Sequence, residues 1–361
     1  MGKAKAFYDP TRTYDDNFDN GPFPLSPGEQ PYVQTGDPQF MFLGKPVYAP
    51  FGIAAGPLLN SKYVRFAFER GFDVVCYKTQ RTVPFACNDF PNVLYVDPQG
   101  DLTLEKAAHP LVGTTETTLQ REKLSITNSF GVPSRGPSFW VPDLHKALTY
   151  QRKGQLLIAA VQGTIQDGFG PKEYYDDFAI AAELAVGAGA SAVELNLSCP
   201  NVATEGVLCY RSDAVVAICR TVKERIGATP LIIKLGYFTT EQDPLLLTIV
   251  KEGAPYLAGI SAVNTIAAPV VDNMGAQALP GPNRLKSGIC GASIKWAGLD
   301  MVGRLAALRK KLGLQFEIIG VGGVMTPADF HAYRQAGADL VQSATGAMWN
   351  PYLAAEIKAT I

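Results

Sequence analysis

Paired cysteines are what this sequence most plainly lacks. Its 361 residues hold six, at positions 76, 87, 199, 209, 219 and 290, scattered and without a C-x-x-C pair. That spacing excludes a disulfide framework and, within this chain, the ligand pattern of a zinc site or an iron–sulfur cluster, so no metal is expected. Reduced thiols in a cytoplasmic protein are the reading. Long apolar runs are missing too: none reaches the roughly 18–20 residues that span a bilayer. The opening Met1-Gly2-Lys3-Ala4-Lys5-Ala6 lacks the apolar stretch of a secretory signal. It also has no Ser or Thr where a myristoylation signal places one. A formal net charge of −1, with no basic patch among aromatics, gives no reason to expect nucleic acid or a membrane as a partner.

What is present is the composition of a folded protein with a large core, 47% apolar and 18% charged. Residues 1–44 are polar, aromatic and rich in Pro and Gly, without a sustained period, and read as an arm wrapped on the rest of the protein or on a second subunit. From Pro46 onward short apolar runs alternate with helical stretches, the mark of a parallel sheet of β/α units. Strands are expected at Val47–Ile53, Val74–Tyr77, Ser125–Asn128, Leu156–Val161, Ala192–Leu195, Leu231–Leu235, Ile260–Val263, Phe316–Ile319 and Leu340–Ser343. Ser61 is expected to open a helix that stops at Gly71, and Thr326-Pro327 one that stops at Gly337. Nine candidates for eight places make one an excursion. Ser125–Asn128 takes that role, because Lys78 to Leu156 is too long for a plain β/α loop. The expected fold is α/β: a (β/α)8 TIM barrel over 45–361, with an N-terminal extension and an excursion after the second strand.

In such a barrel the working residues sit at and beyond the C-terminal ends of the strands. There the sequence places Ala54-Ala55-Gly56, Lys78-Thr79, Asn128, Gln162, Asn196 through Asn201, Lys234, Asn264-Thr265, Gly320–Gly323 and Ala344-Thr345-Gly346. A lysine at a strand end is ordinarily a snorkelling surface residue. Lys78 and Lys234, however, end buried runs (Val-Val-Cys-Tyr-Lys and Leu-Ile-Ile-Lys) whose own strands offer no carboxylate, which points to a bound anion. Gly322-Gly323 followed by Thr326-Pro327, with Ala344-Thr345 after the last strand, reads as a phosphate cradle of backbone amides and a helix N-terminus. Asn128, Asn196, Asn201, Asn264 and Thr265 suit a small planar ligand with alternating donors and acceptors, although each alone could be a loop cap. Cys199, beside Ser198, is the candidate proton-transfer group, and Cys209 its competitor.

These pieces together resemble the dihydroorotate dehydrogenase family. The resemblance rests on Ala54-Ala55-Gly56, Lys78-Thr79, Asn128-Ser129-Phe130-Gly131-Val132-Pro133, Asn196-Leu197-Ser198-Cys199-Pro200-Asn201, Lys234, Val263-Asn264-Thr265, Gly288-Ile289-Cys290-Gly291, Gly322-Gly323 and Ala344-Thr345, in family order over about 46–350. It implies a barrel holding FMN, with dihydroorotate oxidised to orotate in pyrimidine biosynthesis. Cys199 would remove the C5 proton, with Ser198 beside it, while a hydride passes from C6 to the flavin and Lys234 steadies the reduced ring. Substrate would be held by Lys78, Asn128, Ser129, Phe130, Gly131, Val132, Asn196, Asn201, Asn264 and Thr265. The cofactor would be held by Ala54, Ala55, Gly56, Lys78, Thr79, Asn128, Gln162, Asn196, Lys234 and Val263, with its phosphate on Gly291, Gly322, Gly323, Ala344 and Thr345.

Cys199 in place of serine, and a polar arm, match the class 1 type. Such proteins are homodimers reducing fumarate, or catalytic chains passing electrons to NAD through a separate flavin and iron–sulfur subunit. The resemblance supplies no counterpart for the arm, Ser134 stands where Asn is usual, and Val202–Arg211 is expected to be a lid hinged at Gly206. Two other readings stay open: an FMN-dependent dihydropyrimidine oxidoreductase, and a barrel that binds a phosphorylated ligand without redox chemistry.

Overall fold

A computed structural model describes residues 6–23, 30–198 and 208–361. Eight parallel strands close into a barrel: β1 (Phe51–Ile53), β2 (Val74–Gln80), β3 (Leu156–Val161), β4 (Val193–Asn196), β5 (Leu231–Leu235), β6 (Gly259–Ala262), β7 (Glu317–Val321) and β8 (Leu340–Ser343). They follow one another around the ring in chain order, and β8 pairs with β1 to close it. Helices intervene as the alternating pattern requires: α1 (Ser61–Glu69), α2 (Pro137–Leu148), α3 (Pro171–Gly187), α4 (Ser212–Ile226), α5 (Asp243–Gly253), α6 (Lys295–Leu312) and α7 (Pro327–Ala336). The strands are buried on both faces, which is why their sequences read as near-continuous apolar runs. Among the described residues no helix is long and apolar enough to cross a membrane.

Two local readings are corrected by the structure. The run Val47–Ile53 is two elements: Lys45–Val47 pairs with Phe40–Phe42 as a hairpin, and only Phe51–Ile53 enters the barrel. Pro50 carries no N–H and lies between them. Leu43 and Gly44 turn the hairpin with φ of 49° and 72°, as a two-residue loop demands, and Phe42 and Val47 plug the barrel interior from below. The cap of α1 is Asn60, whose side chain accepts from the Lys62 amide. Ser61 instead donates its hydroxyl to Asp143 on α2 at 2.6 Å. Thr326 and Gly337 bound α7 as expected, with Gly337 left-handed at φ 107°.

Ser125–Asn128 is indeed outside the barrel. It belongs to a second, five-stranded closed sheet with Tyr95–Val96, Leu111–Thr114, Ile266–Val271 and Lys286–Gly291. Two excursions therefore build this sheet, one leaving β2 and one leaving β6. The second escaped the sequence reading because Pro269 interrupts the apolar run Ile266–Val271 and argues against a strand there. The sheet stands over the C-terminal mouth of the barrel. The arm lies against the same protein: Phe7, Tyr8, Tyr14 and Phe18 are buried in the main core, and the Phe7 amide donates to Met348 O. A short helix, Tyr14–Asn20, is capped by Thr13. The hairpin straddles the 44/45 boundary drawn from composition.

Candidate active site

Between the barrel mouth and the second sheet lies a cavity of about 910 Å³ of empty space, counted out to its opening. Its floor comes from strand ends: Ala55 and Gly56 after β1, Lys78 and Thr79 on β2, Asn196 on β4, Asn264 and Thr265 after β6, Ala344 and Thr345 after β8. Its roof comes from the first excursion, through Asn128, Phe130, Gly131 and Val132.

Side-chain amides tie the floor together. Asn196 Nδ2 donates to Gln162 Oε1 at 3.0 Å, and Asn264 Nδ2 donates to Asn196 Oδ1 and Ser198 Oγ, each at 3.2 Å. The three amides and the hydroxyl are thereby fixed in orientation, with Ser198 next in sequence to Cys199. Thr265 Oγ1 is buried, lines the cavity and has no hydrogen-bond partner among the described residues. An orphaned hydroxyl beside a cavity costs about 1–3 kcal/mol unless a ligand engages it. Lys78 Nζ donates to Pro133 O at 2.9 Å and lies 5.7 Å from the centre of the Tyr14 ring.

Lys234 is buried inside the barrel at the level of Asn196, its register partner, and does not line the open cavity. Its own strand has no carboxylate, but Glu194 on β4 lies within its electrostatic reach. A bound anion is therefore not needed to explain this lysine. Ser129 is also turned away: its hydroxyl accepts from Arg284 Nε at 3.0 Å. Ser134 Oγ donates to Gln80 Oε1 at 2.9 Å, outside the cavity wall.

The phosphate cradle differs from its expected form. Asp329 Oδ2 accepts from the Met325 amide, the Thr326 amide and the Thr326 hydroxyl, and Asp329 Oδ1 pairs with Lys295 at 2.7 Å. The N-terminus of α7 is thus occupied by its own capping carboxylate. Backbone turns remain: Gly322 and Gly323 with φ of 123° and 66°, Gly291 with 102°, and the Ala344-Thr345-Gly346 turn. They are closely packed, since a Cβ on Gly346 would lie 2.1 Å from Val324 O and one on Gly291 2.3 Å from Leu124 O. Ala54, Gln162, Val263, Gly291, Gly322 and Gly323 do not line this cavity.

Cys199, Asn201 and the hinge Gly206 lie outside the described residues. Their competitor is described: Cys209 is fully buried, and burial pushes its thiol up to about 12, unsuited to act as a base at neutral pH. Tyr8, Tyr14, Cys290 and Met348 also line the cavity and were not singled out from sequence. Cys290 stands in the quoted Gly-Ile-Cys-Gly string, and the arm tyrosines gave only an aromatic bias within a segment without period.

A closed eight-strand barrel with its polar residues gathered at the C-terminal mouth defines an enzyme of the (β/α)8 class. The sequence pattern of the family described as dihydroorotate dehydrogenase matches residues 103–361. The chain is 36% identical over 358 residues to a dihydroorotate dehydrogenase of Dictyostelium discoideum, covering 97% of this chain and 96% of that protein. It is 25% identical over 248 residues to a "dihydroorotate dehydrogenase B (NAD(+)), catalytic subunit" of Desulforamulus reducens, 69% of this chain and 75% of that one. A protein of the same description from Endomicrobium trichonymphae is 27% identical over 252 residues, 70% and 75% of the two chains. The chain belongs to the dihydroorotate dehydrogenase family.

Proposed function

We propose that this chain is an FMN-dependent enzyme that oxidises dihydroorotate to orotate in pyrimidine biosynthesis. The observation that carries the reading is the linked floor, Gln162–Asn196–Asn264–Ser198, with the orphaned Thr265 hydroxyl and the Lys78 ammonium around one cavity. Dihydroorotate offers imide donors and acceptors on one edge and a carboxylate on another. The oriented amides answer the first, and Lys78 answers the second. The Ala344-Thr345 turn, which lines the cavity, offers a phosphate backbone N–H groups, with the close-packed turns at Gly291 and Gly322-Gly323 as its proposed neighbours. When bound there, FMN supplies the acceptor for the hydride that leaves substrate C6. Cys199 is the base that takes the C5 proton, and Ser198, fixed by Asn264, sets the start of its loop. Asn201 adds a further amide to the substrate.

The arm contributes Tyr8 and Tyr14 to the wall of the site. A cytoplasmic homodimer is proposed, reducing fumarate or passing electrons through a partner subunit to NAD. Protein reconstituted with FMN and given dihydroorotate with fumarate, NAD or a soluble quinone in turn is expected to release orotate with one of the first two. It is expected to leave dihydrouracil unchanged; turnover of dihydrouracil in preference to dihydroorotate would overturn the substrate assignment.

A further inference from the structure

Side chains along a barrel strand alternate between the interior and the helix layer. Val75, Tyr77, Val193, Leu195, Ile260, Ala262 and Val341 pack outward in the main core, so Cys76 on β2, Glu194 on β4, Ser261 on β6 and Gln342 on β8 point inward. Four even-numbered strands supplying one tier is how these barrels are filled, ordinarily with bulky aliphatic residues. The tier beneath is ordinary, with Ile158, Ile232 and Ile319. This one carries a thiol, a carboxyl, a hydroxyl and an amide, none more than 1% exposed. It lies one inward step below Lys78, Asn196, Val263 and Ala344, and so forms the subfloor of the mouth.

The tier is only partly satisfied. Gln342 Nε2 donates to Cys76 Sγ at 3.3 Å, but Glu194 Oε1, Ser261 Oγ and Gln342 Oε1 have no hydrogen-bond partner among the described residues. Burying a carboxyl this way is expensive, and an uncompensated one surrenders its charge. The compensation available is chiefly Lys234, with a smaller share from the Ser261 side chain. Lys234 stands on β5, between the strands of Glu194 and Ser261, with Asn196 and Ser261 as its register partners. Burial raises the Glu194 carboxyl above its ordinary range, and the Lys234 ammonium opposes that rise only in part.

We infer that Glu194 is a positioning residue for the redox step: from below the floor its carboxylate faces the Lys234 ammonium and offsets part of the positive charge felt at the cofactor. The inference rests on the FMN reading and adds an element to it. Lys234 alone would favour the reduced, more negative ring; the Lys234–Glu194 pair favours it less and thereby sets the reduction equilibrium.

The test is a reductive titration of the FMN-loaded protein against dyes of known potential. Glu194→Gln keeps size and hydrogen bonding but removes the charge. It is expected to shift the equilibrium toward reduced flavin about tenfold, about 30 mV for a two-electron couple. In a Lys234→Gln background the same change is expected to do nothing, because a carboxyl without its partner is already neutral. An unchanged potential in the first background, or equal shifts in both, overturns the inference while leaving flavin binding and substrate oxidation intact. A protein that takes up no FMN overturns both readings. Should the Gln variant fail to fold, the wild-type reduced-minus-oxidised infrared spectrum decides. A buried neutral carboxyl band from Glu194 in the oxidised enzyme contradicts the inference, and its absence supports it.

Discussion

Arg284 gives the sharpest structural prediction. It lies in the second excursion, is 5% exposed, and donates five hydrogen bonds, four of them into the first: Nε to Ser129 Oγ at 3.0 Å, and terminal nitrogens to Asp89 O at 2.7 Å, Pro91 O at 2.9 Å and Ser129 O at 3.1 Å, with Pro280 O at 2.5 Å closing its own loop. Every acceptor is neutral, so the planar five-donor fork matters more than a charge partner. Ser129 opens the strand end that carries Phe130, Gly131 and Val132 over the cavity. Arg284→Met strands those acceptors together. Bonds from a charged group are worth about 1.5–3 kcal/mol each, but five on one side chain do not add, and about 3–5 kcal/mol is the range for breaking such a buried network. At about 2.1 cal/mol/K per residue, 361 residues give an unfolding entropy of about 0.8 kcal/mol/K, so a loss of about 4 kcal/mol lowers Tm by about 5 °C. The amide floor is untouched, so KM for dihydroorotate is expected to rise more than kcat falls. Arg284→Lys, with a charge but no fork, is expected to recover less than half of the loss. Calorimetry and steady-state kinetics are the assays. An Arg284→Met protein with unchanged Tm and KM would refute the reasoning.

Gly346→Ala is expected to abolish or strongly weaken FMN retention, because its Cβ would meet Val324 O at 2.1 Å and must push the β8 turn open; flavin content after gel filtration reads this directly. Tyr14→Ala removes an arm residue from the cavity wall and the ring near Lys78, and is expected to raise KM several-fold with little change in flavin content. Asp73, paired with Lys358 at 2.8 Å under the barrel, is raised to about 6 chiefly by burial, so its protonated form is favoured by folding. Its contribution to stability is present below about 4 and lost as pH rises through about 6. Urea unfolding at pH 4.5 and 7 is expected to show this pH-dependent loss in the wild type and not in Asp73→Asn.

Much of the barrel was legible because its strands are short, apolar and punctuated by helices. Leu156–Val161, Leu231–Leu235 and Leu340–Ser343 were read to the residue. The placement of Lys78, Asn196 and Asn264 around one mouth followed from the same logic, since in this fold a strand's end fixes a position in space. What stayed hidden depends on partners distant in sequence. Nothing near Lys234 announces Glu194 as its neighbour until β4 and β5 are paired, and Ser129 reads as a substrate residue until Arg284, 155 positions later, claims its hydroxyl. The capping of α7 by Asp329 was readable in principle, from Thr326 and the acidic residue three positions on. The arm resisted because its order comes from aromatic side chains packing on a finished surface, which leaves no period.

The central claim is that this mouth brings dihydroorotate against a bound flavin with a base on the other side. Anaerobic rapid mixing of FMN-loaded protein with dihydroorotate tests it most directly. The account predicts full bleaching of the flavin absorbance with one orotate formed per flavin, slowed most at neutral pH by Cys199→Ser. A loaded protein whose flavin stays oxidised under dihydroorotate would contradict it.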